Sequence, residues 1–371
     1  MKKKSLFLLL LLLLSVLLVI GCGEQEVADP DEEADEDYIG GTLNILVMPG
    51  YEEEQLIQPF EEKYGVTVNS RVYPSSDQMF SILSAAEPGD WDVVTPDTPW
   101  VERLVGADMI APLEQEDFPE IDNFYEHWQD FEQVFVDDEL YAVVSRWGYY
   151  GIVYNSDYIS EEEASSIEVM WNPEYEGKIV LFDWYLPNMG MLGRYLGEED
   201  PYDITGDDFD ELEELLYSLR DQVGVIAATN SDTIQALADE STWLSFGGEW
   251  LQVILKGEGY PIEVVVPEEG GVSWTESLAI MKDSQNPEAA KAFVQYLTTP
   301  EAQAKLALSD AFHSTVPNVK AVEHMDPEQA SILRMDDPDL ITEMLERIST
   351  RKVPENEDKW QNAWEEFKGM Q

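Results

Sequence analysis

The sequence has 371 residues, of which 44% are hydrophobic, and a formal net charge of −56 at pH 7. This length suggests two domains with sizeable cores, and 77 acidic against 21 basic residues argue firmly against a nucleic-acid-binding function. So large a charge repels itself and favours solubility in salt, which raises the hypothesis that the source organism lives in brine.

The N-terminal segment has the pattern of an export signal. Three lysines at positions 2–4 precede an apolar run at 6–20, which ends at Gly21 and Cys22. The pattern resembles a bacterial lipoprotein signal, which implies cleavage after residue 21 and a lipid on Cys22. A transmembrane anchor is the alternative, but the run is short for one. Since Cys22 is the single cysteine, disulfides, cysteine-ligated zinc and cysteine nucleophiles are excluded for the mature body.

An acidic tether is expected at residues 22–40, and alternating strands and helices follow it. The predicted strands lie at 42–47, 66–68 and 90–94, and the predicted helices at 52–64, 77–86 and 98–105. This alternation predicts a mainly parallel α/β sheet. Ligands of such sheets lie beyond the carboxyl ends of the strands, which here points to residues 48–51 and 95–100.

The second half continues the α/β pattern. A segment at 147–155 contains Gly148 and Gly151 and is a candidate crossing between two lobes. Strands are predicted at 177–182, 223–227, 243–246 and 277–281, and helices at 209–219, 231–239, 286–297, 300 onward, 338–349 and 356–367. Trp274 and Glu276 are expected just before the strand at 277–281, with their side chains on one face. An indole beside a carboxylate suits an organic cation.

A series of short motifs runs through residues 42–368. It comprises LNI followed by Tyr51, FEEKYGVTV at 60–68, DVV at 92–94, VERL at 101–104, WGYYGIVYN at 147–155, WNPEYEGKI at 171–179, WTESLAI at 274–280 and NPEAAKAF at 286–293. Their order and spacing resemble bacterial periplasmic polyamine-binding proteins. These are the spermidine/putrescine receptors of ABC importers, within the extracellular solute-binding superfamily.

The resemblance implies a two-lobed periplasmic-binding-protein (type II) α/β fold with the ligand in the cleft between the lobes. We predict lobe 1 at residues 41–147 and 271–345, and lobe 2 at 148–270 and 346–371. The implied function is that of a lipid-anchored receptor on the periplasmic or extracellular face of the membrane. It would be a monomer that delivers a polyamine to ABC permease subunits, with no cofactor, no metal and no nucleic acid.

Aromatic and acidic residues near predicted strand ends are the candidate ligand-binding residues. A cleft lined by rings holds an alkylammonium chain through methylene stacking and cation–π contacts, although structural packing of each ring is the competing interpretation. Glu276 aligns with the amine-binding carboxylate of the resembled family, where Asp is usual, and Asp183 aligns with an acid of the second lobe. The predicted site comprises Tyr51, Trp100, Asp183, Trp184, Trp250, Trp274 and Glu276.

Departures from the family pattern leave the ligand open. Met48 or Pro49 replaces a tryptophan of the first loop, and no second acid follows closely after Asp183, which suggests a shorter or singly charged amine. An amino acid or a betaine-like amine is the alternative ligand. A carboxylate-bearing ligand needs an arginine, and Arg146 or Arg194 is available for that role.

An enzyme is not expected. The histidines at positions 127, 313 and 324 are scattered, without metal-ligand spacing, and the nucleophile-elbow and phosphate-loop motifs are absent from the sequence. A secreted hydrolase or a sugar-binding lipoprotein that uses the aromatic residues remains the alternative from a different functional class.

Overall fold

The computed structural model describes residues 37–370, and those from Ile39 onward belong to one compact unit. The predicted signal peptide, most of the tether and Cys22 lie outside the described residues. No helix within residues 37–370 is long and apolar enough to span a bilayer.

The strands of the described chain are short, apart from two long ones near the middle of the sheet. They are β1 (Thr42–Val47), β2 (Thr67–Val72), β3 (Val93–Val94), β4 (Phe135–Val136), β5 (Glu139–Leu140), β6 (Val143–Asn155), β7 (Ile179–Phe182), β8 (Val223–Ala227), β9 (Leu244–Gly247), β10 (Ile262–Val265), β11 (Gly271–Ile280) and β12 (Ile348–Ser349).

Helices follow most of these strands. They are α1 (Glu54–Tyr64), α2 (Ser76–Ala85), α3 (Val101–Gly106), α4 (Glu126–Gln129), α5 (Glu161–Ala164), α6 (Tyr185–Tyr195), α7 (Asp207–Ser218), α8 (Asn230–Ala238), α9 (Glu249–Gly257), α10 (Pro287–Leu297), α11 (Pro300–Ala307), α12 (Pro327–Ile332), α13 (Pro338–Glu346) and α14 (Glu357–Gly369). A short 3₁₀ turn, Thr98–Trp100, precedes α3.

Local sequence signals set several helix ends. Gly65 ends α1 in the left-handed conformation, with φ of 64°, and the Ser75 side chain accepts a hydrogen bond from the Gln78 amide at the start of α2. Thr229 and Asp232 form a capping box at the start of α8. The predicted helices at these positions are therefore confirmed to within about two residues, the usual uncertainty of helix ends.

The sheet order among the described residues is β2-β1-β3-β11-β6-β9-β7-β8, with β10 paired to β6 and β12 to β11. Strands β1, β2 and β3 are parallel to one another, as are β7, β8 and β9. Strand β11 is antiparallel to β3 and β6, and β6 is antiparallel to β9 and β10. The prediction of a mainly parallel sheet thus holds within each group of three strands, and the two long strands depart from it.

The buried residues form two hydrophobic cores, and the antiparallel strands β6 and β11 contribute to both of them. The first draws buried residues from 43–147 and 278–345, and the second from 149–274 and 344–367. Strand β6 contributes to the first core as far as Trp147 and to the second from Tyr149 onward. Strand β11 likewise passes from the second core to the first between Trp274 and Leu278. The long strands therefore connect the two cores.

One sequence prediction about β11 is wrong. Trp274 and Glu276 were expected before a strand at 277–281, but they lie inside β11, which begins at Gly271. The strand is longer because its pairing with β6 starts at Val272, opposite Tyr150. The shared face of the two side chains is retained, since alternate residues of a strand point the same way.

Gly148 leaves room for the Trp274 side chain where β6 pairs with β11. It lies opposite Trp274, and a Cβ atom there would be 2.5 Å from the Trp274 Nε1 and 2.4 Å from a Glu249 carboxylate oxygen. A glycine is therefore required by packing at this point.

We expect Gly148→Ala to lower the free energy of unfolding by about 1–3 kcal/mol, because the added methyl overpacks the site. Gly257→Ala is the matched control, since a Cβ there meets no atom within 4 Å. Urea denaturation of both variants measures the effect. Equal stability of the two variants would contradict the packing role of Gly148.

Glu249, the first residue of α9, is a buried acid next to this contact, and it is 3% exposed. Burial raises the pKa of its carboxyl to about 8 from the ordinary 4.5, against the opposing effect of nearby backbone N–H groups and Arg334. Between these two values the folded protein holds a proton that the unfolded chain has released. The contribution of Glu249 to the free energy of unfolding therefore falls as the pH rises from about 4.5 to about 8.

We expect Glu249→Gln to become progressively more stable than the wild type as the pH is raised from 5 to 8, by on the order of a few kcal/mol in total. The matched control is Glu258→Gln, because Glu258 lies exposed at the end of the same helix. Unfolding free energies measured across this pH range test the prediction, and parallel curves for wild type and Glu249→Gln would refute it.

Candidate functional site

A cavity of about 510 Å³ lies where the two cores meet. Its walls include residues from β6, β11, the segment after β3, the β7–α6 junction, α9 and the chain after β12. Six predicted site residues line it: Trp100, Asp183, Trp184, Trp250, Trp274 and Glu276. The structure thus brings together side chains that are far apart in the sequence.

Tyr51 is the exception among the predicted site residues. It is fully buried, its hydroxyl is 2.6 Å from the Ser145 hydroxyl, and it is not among the residues that line the cavity. Its ring lies 4.8 Å from the Arg146 guanidinium, in a cation–π contact. Burial raises the pKa of Tyr51 well above its ordinary value. Tyr51 therefore contacts Arg146 and does not line the cavity itself.

Arg146 and Glu276 form a buried, two-point ion pair across β6 and β11. The Arg146 Nε donates to Glu276 Oε2 at 2.7 Å, and Nη2 donates to Oε1 at 3.1 Å. The side chains are 2% and 6% exposed. Burial lowers the pKa of Arg146, but the adjacent Glu276 outweighs this effect and leaves the pKa above its ordinary value. The guanidinium is therefore charged whenever the protein is folded.

Asp97 and Arg351 form a second buried ion pair in the same cavity. The Arg351 Nη2 donates to Asp97 Oδ1, and the guanidinium lies 4.4 Å from the centre of the Trp184 ring. Burial raises the pKa of Asp97, against the opposing charge of Arg351. Sequence reasoning missed both members of this pair, since Asp97 is one of 77 acidic residues and Arg351 lies outside the regular elements.

An aromatic cluster closes one side of the cavity. The Trp250 ring lies 5.5 Å from Phe312 and 6.1 Å from Trp274, and the Trp274 ring lies 5.2 Å from Phe312, all between ring centroids. The Tyr150 ring meets Trp250 at 5.1 Å, and burial raises the pKa of Tyr150 to about 12. Phe312 was also missed, because it follows α11 in a segment without strand or helix periodicity.

Acidic side chains without an arginine partner lie elsewhere on the cavity wall. Asp183 accepts from the Trp364 indole at 2.8 Å and pairs with Lys368 at 2.9 Å. Glu357 accepts from the Tyr185 hydroxyl at 2.7 Å. With Asp77, these bring the wall to five acids against two arginines. Lys368 offsets Asp183, and the remaining excess of acidic charge favours a cationic ligand.

The described chain does not present the ligand set of a metal centre. Within residues 37–370, no three His, Cys, Asp or Glu side chains are arranged to hold a metal ion. The cavity instead combines ring faces with paired and unpaired charges. Such a surface is suited to recognising a small charged organic molecule.

Comparisons with known proteins identify the family of this chain. Residues 55–332 match the family model described as bacterial extracellular solute-binding protein. The "Spermidine/putrescine-binding periplasmic protein" of Salmonella typhimurium is 28% identical over 295 residues, which cover 78% of this chain and 81% of the relative. The "Putrescine-binding periplasmic protein SpuD" of Pseudomonas aeruginosa is 24% identical, with 71% and 75% of the two chains covered.

Solved structures show the same fold. A "Putative spermidine/putrescine ABC transporter" from Listeria monocytogenes superposes with a TM-score of 0.74 at 22% identity, covering 88% of this chain and 98% of that one. A spermidine/putrescine ABC transporter substrate-binding protein from Streptococcus pneumoniae gives 0.76 at 19% identity, covering 89% and 99%. The two-lobed periplasmic-binding-protein fold predicted from the sequence is therefore confirmed. Since the family model spans most of the sequence, the chain belongs to the bacterial extracellular solute-binding protein family.

Proposed function

We propose that this protein captures a small organic amine in the cavity between its two cores and presents it to an ABC importer. The observation that carries the proposal is the aromatic cluster of Trp250, Trp274 and Phe312 beside a predominantly acidic wall. Ring faces attract an alkylammonium group and cover its methylenes, and carboxylates accept its N–H donors. Putrescine and spermidine belong to this ligand class.

The relatives named for spermidine and putrescine support a polyamine as the ligand. Glu276 is proposed as one amine-binding carboxylate, since each of its oxygens holds one Arg146 N–H and retains a further lone pair. Trp100, Asp183, Trp184, Trp250 and Trp274 are proposed as the other ligand contacts, because all of them line the cavity. Tyr51 is proposed to act indirectly, by holding the Arg146 guanidinium in place without touching the ligand.

The domain boundaries remain a proposal, with lobe 1 at residues 41–147 and 271–345 and lobe 2 at 148–270 and 346–371. The separation of buried residues into two cores supports them, apart from residues of the second core that fall within the range proposed for lobe 1, namely Val272, Trp274 and Met344. A ligand in the cavity contacts segments of both cores, so binding favours the arrangement in which they approach each other.

The proposed location of the protein is the cell envelope. We propose a monomeric receptor attached through a lipid on Cys22 to the outer face of the cell membrane, where it meets the permease subunits. The family match and the periplasmic relatives support an extracytoplasmic location. They also support a binding protein in preference to a hydrolase.

A thermal-shift screen tests the proposed function. We expect putrescine, cadaverine, spermidine or a related amine at about 100 times its Kd to raise Tm by on the order of 5 °C, because the ligand binds the folded state alone. Sugars serve as the negative set. A shift with sugars and none with any amine would refute the proposal.

Trp250→Leu provides the site control for this screen. It removes one ring of the aromatic cluster, and we expect it to abolish most of the shift. Trp171→Leu is the matched variant, because Trp171 stacks on Tyr195 at 4.9 Å and does not line the cavity. An equal loss of shift in both variants would count against the assigned site.

Lipid attachment has its own test. We expect Cys22→Ser to abolish incorporation of labelled fatty acid and to release the protein from the membrane fraction, since Cys22 is the single thiol in the sequence. Ser15→Ala in the apolar run is the control variant and should stay labelled. Unchanged labelling of Cys22→Ser would exclude this anchor.

A further inference from the structure

We infer that the amine bound in this cavity also carries a carboxylate, and that the ligand is a diamino acid such as ornithine or lysine. This rests on the proposed function, an amine receptor, and specifies the ligand class. The geometry points to Asp97 and Arg351 as the groups that recognise the α-ammonium and the carboxylate. The acidic wall formed by Asp77, Asp183 and Glu357 would take the second ammonium.

The central carboxylates of the cavity are already neutralised. Glu276 is bound by the Nε and Nη2 of Arg146, and Asp97 is bound by Nη2 of Arg351. All four residues are at most 5% exposed. A ligand with ammonium groups alone would place a positive charge beside two buried guanidinium groups. A ligand with a negative group there avoids that repulsion.

The Asp97–Arg351 pair also retains unused hydrogen-bonding atoms. Among the described residues, Oδ2 of Asp97 has no hydrogen-bond partner, and Nε and Nη1 of Arg351 have none of good geometry, although the guanidinium also interacts with the Tyr150 hydroxyl. Both residues line the cavity. Buried donors and acceptors without partners are unfavourable, and a zwitterion supplies both kinds at once. Its carboxylate accepts from Arg351, and its ammonium donates to Asp97 Oδ2.

The rest of the cavity wall can receive the second ammonium. Asp183 lies next to Trp184, over whose ring the Arg351 guanidinium sits at 4.4 Å. Glu357 and Asp77 both act on Tyr185, the following residue, and contribute to its raised pKa after the larger effect of burial. Asp183, which also pairs with Lys368, lines the same cavity as Glu357, Asp77 and Arg351. A ligand in this cavity can therefore place its ω-amine at the acidic wall and its carboxylate at Arg351. The aromatic rings would cover the methylenes between the two ends.

Ornithine and putrescine differ by one carboxylate, as do lysine and cadaverine, and these matched pairs test the inference. Isothermal titration calorimetry on the purified protein measures all four ligands, together with 5-aminopentanoate, which is ornithine without its α-amine. We expect each diamino acid to bind at least about tenfold more tightly than its decarboxylated partner, because it gains charge-assisted hydrogen bonds to Arg351. We expect 5-aminopentanoate to bind more weakly than ornithine.

Arg351→Gln should remove this preference by weakening ornithine at least about tenfold and leaving putrescine unchanged or tighter. Because that substitution leaves Asp97 buried without its partner, a double variant, Asp97→Asn with Arg351→Gln, removes both charges together. Arg194→Gln is the matched control. Arg194 donates to the backbone oxygens of Glu269 and Glu198 and does not line the cavity, so the preference should survive.

The outcomes separate the two proposals. Tighter binding of putrescine and cadaverine than of ornithine and lysine would overturn the inference and leave the amine receptor standing. A diamino-acid preference that survives both Arg351 variants, folded by circular dichroism, would also overturn it. Failure of every amine and amino acid to bind at millimolar concentration would overturn the proposed function itself.

Discussion

The register of β6 against β11 is the constraint on which the cavity depends. It places Arg146 opposite Glu276, and Gly148 opposite Trp274. Arg146 neutralises the buried Glu276 carboxylate, and Gly148 leaves room for the Trp274 indole. Because side chains alternate along a strand, a shift by one residue would turn Trp274 and Glu276 away from the cavity and leave both charges unpaired. Packing, charge and the site are therefore set by the same hydrogen-bond ladder.

Two buried arginines in so acidic a protein require an explanation other than stability. A buried ion pair gains little over apolar side chains of similar size, because removing both charges from water offsets their attraction. The planar guanidinium fixes a carboxylate at two points, as Arg146 fixes Glu276, and lysine lacks this geometry. The pairs therefore hold carboxylates in defined orientations on the cavity wall. A fixed orientation of these carboxylates would allow the cavity to recognise a charged solute.

The sequence predicted the alternating strands and helices because hydrophobic periodicity and capping residues are local signals. It also predicted that Trp274 and Glu276 share a face, although it placed them before β11 and not inside it. Strand length depends on the partner strand, and β6 lies more than a hundred residues earlier. The Asp97–Arg351 pair was missed because nothing local distinguishes Asp97 among 77 acidic residues, and its partner lies 254 residues away. Arg146 carried a usable signal, as a cation within an otherwise apolar and aromatic run, VVSRWGYY.

The candidate site residues are divided between the two cores, so a bound ligand can affect how the two cores are arranged. Trp100 belongs to the first core, whereas Trp250 and Trp274 belong to the second. Asp97 follows β3, and Arg351 follows β12, so their ion pair ties together segments 254 residues apart. A solute that touches all of these groups lowers the free energy of the arrangement that brings them together, in proportion to its preference for that arrangement. A solute that reaches one wall alone has no such preference, however tightly that wall holds it. Contacts with both cores are therefore what would distinguish a transported solute from an adventitious one.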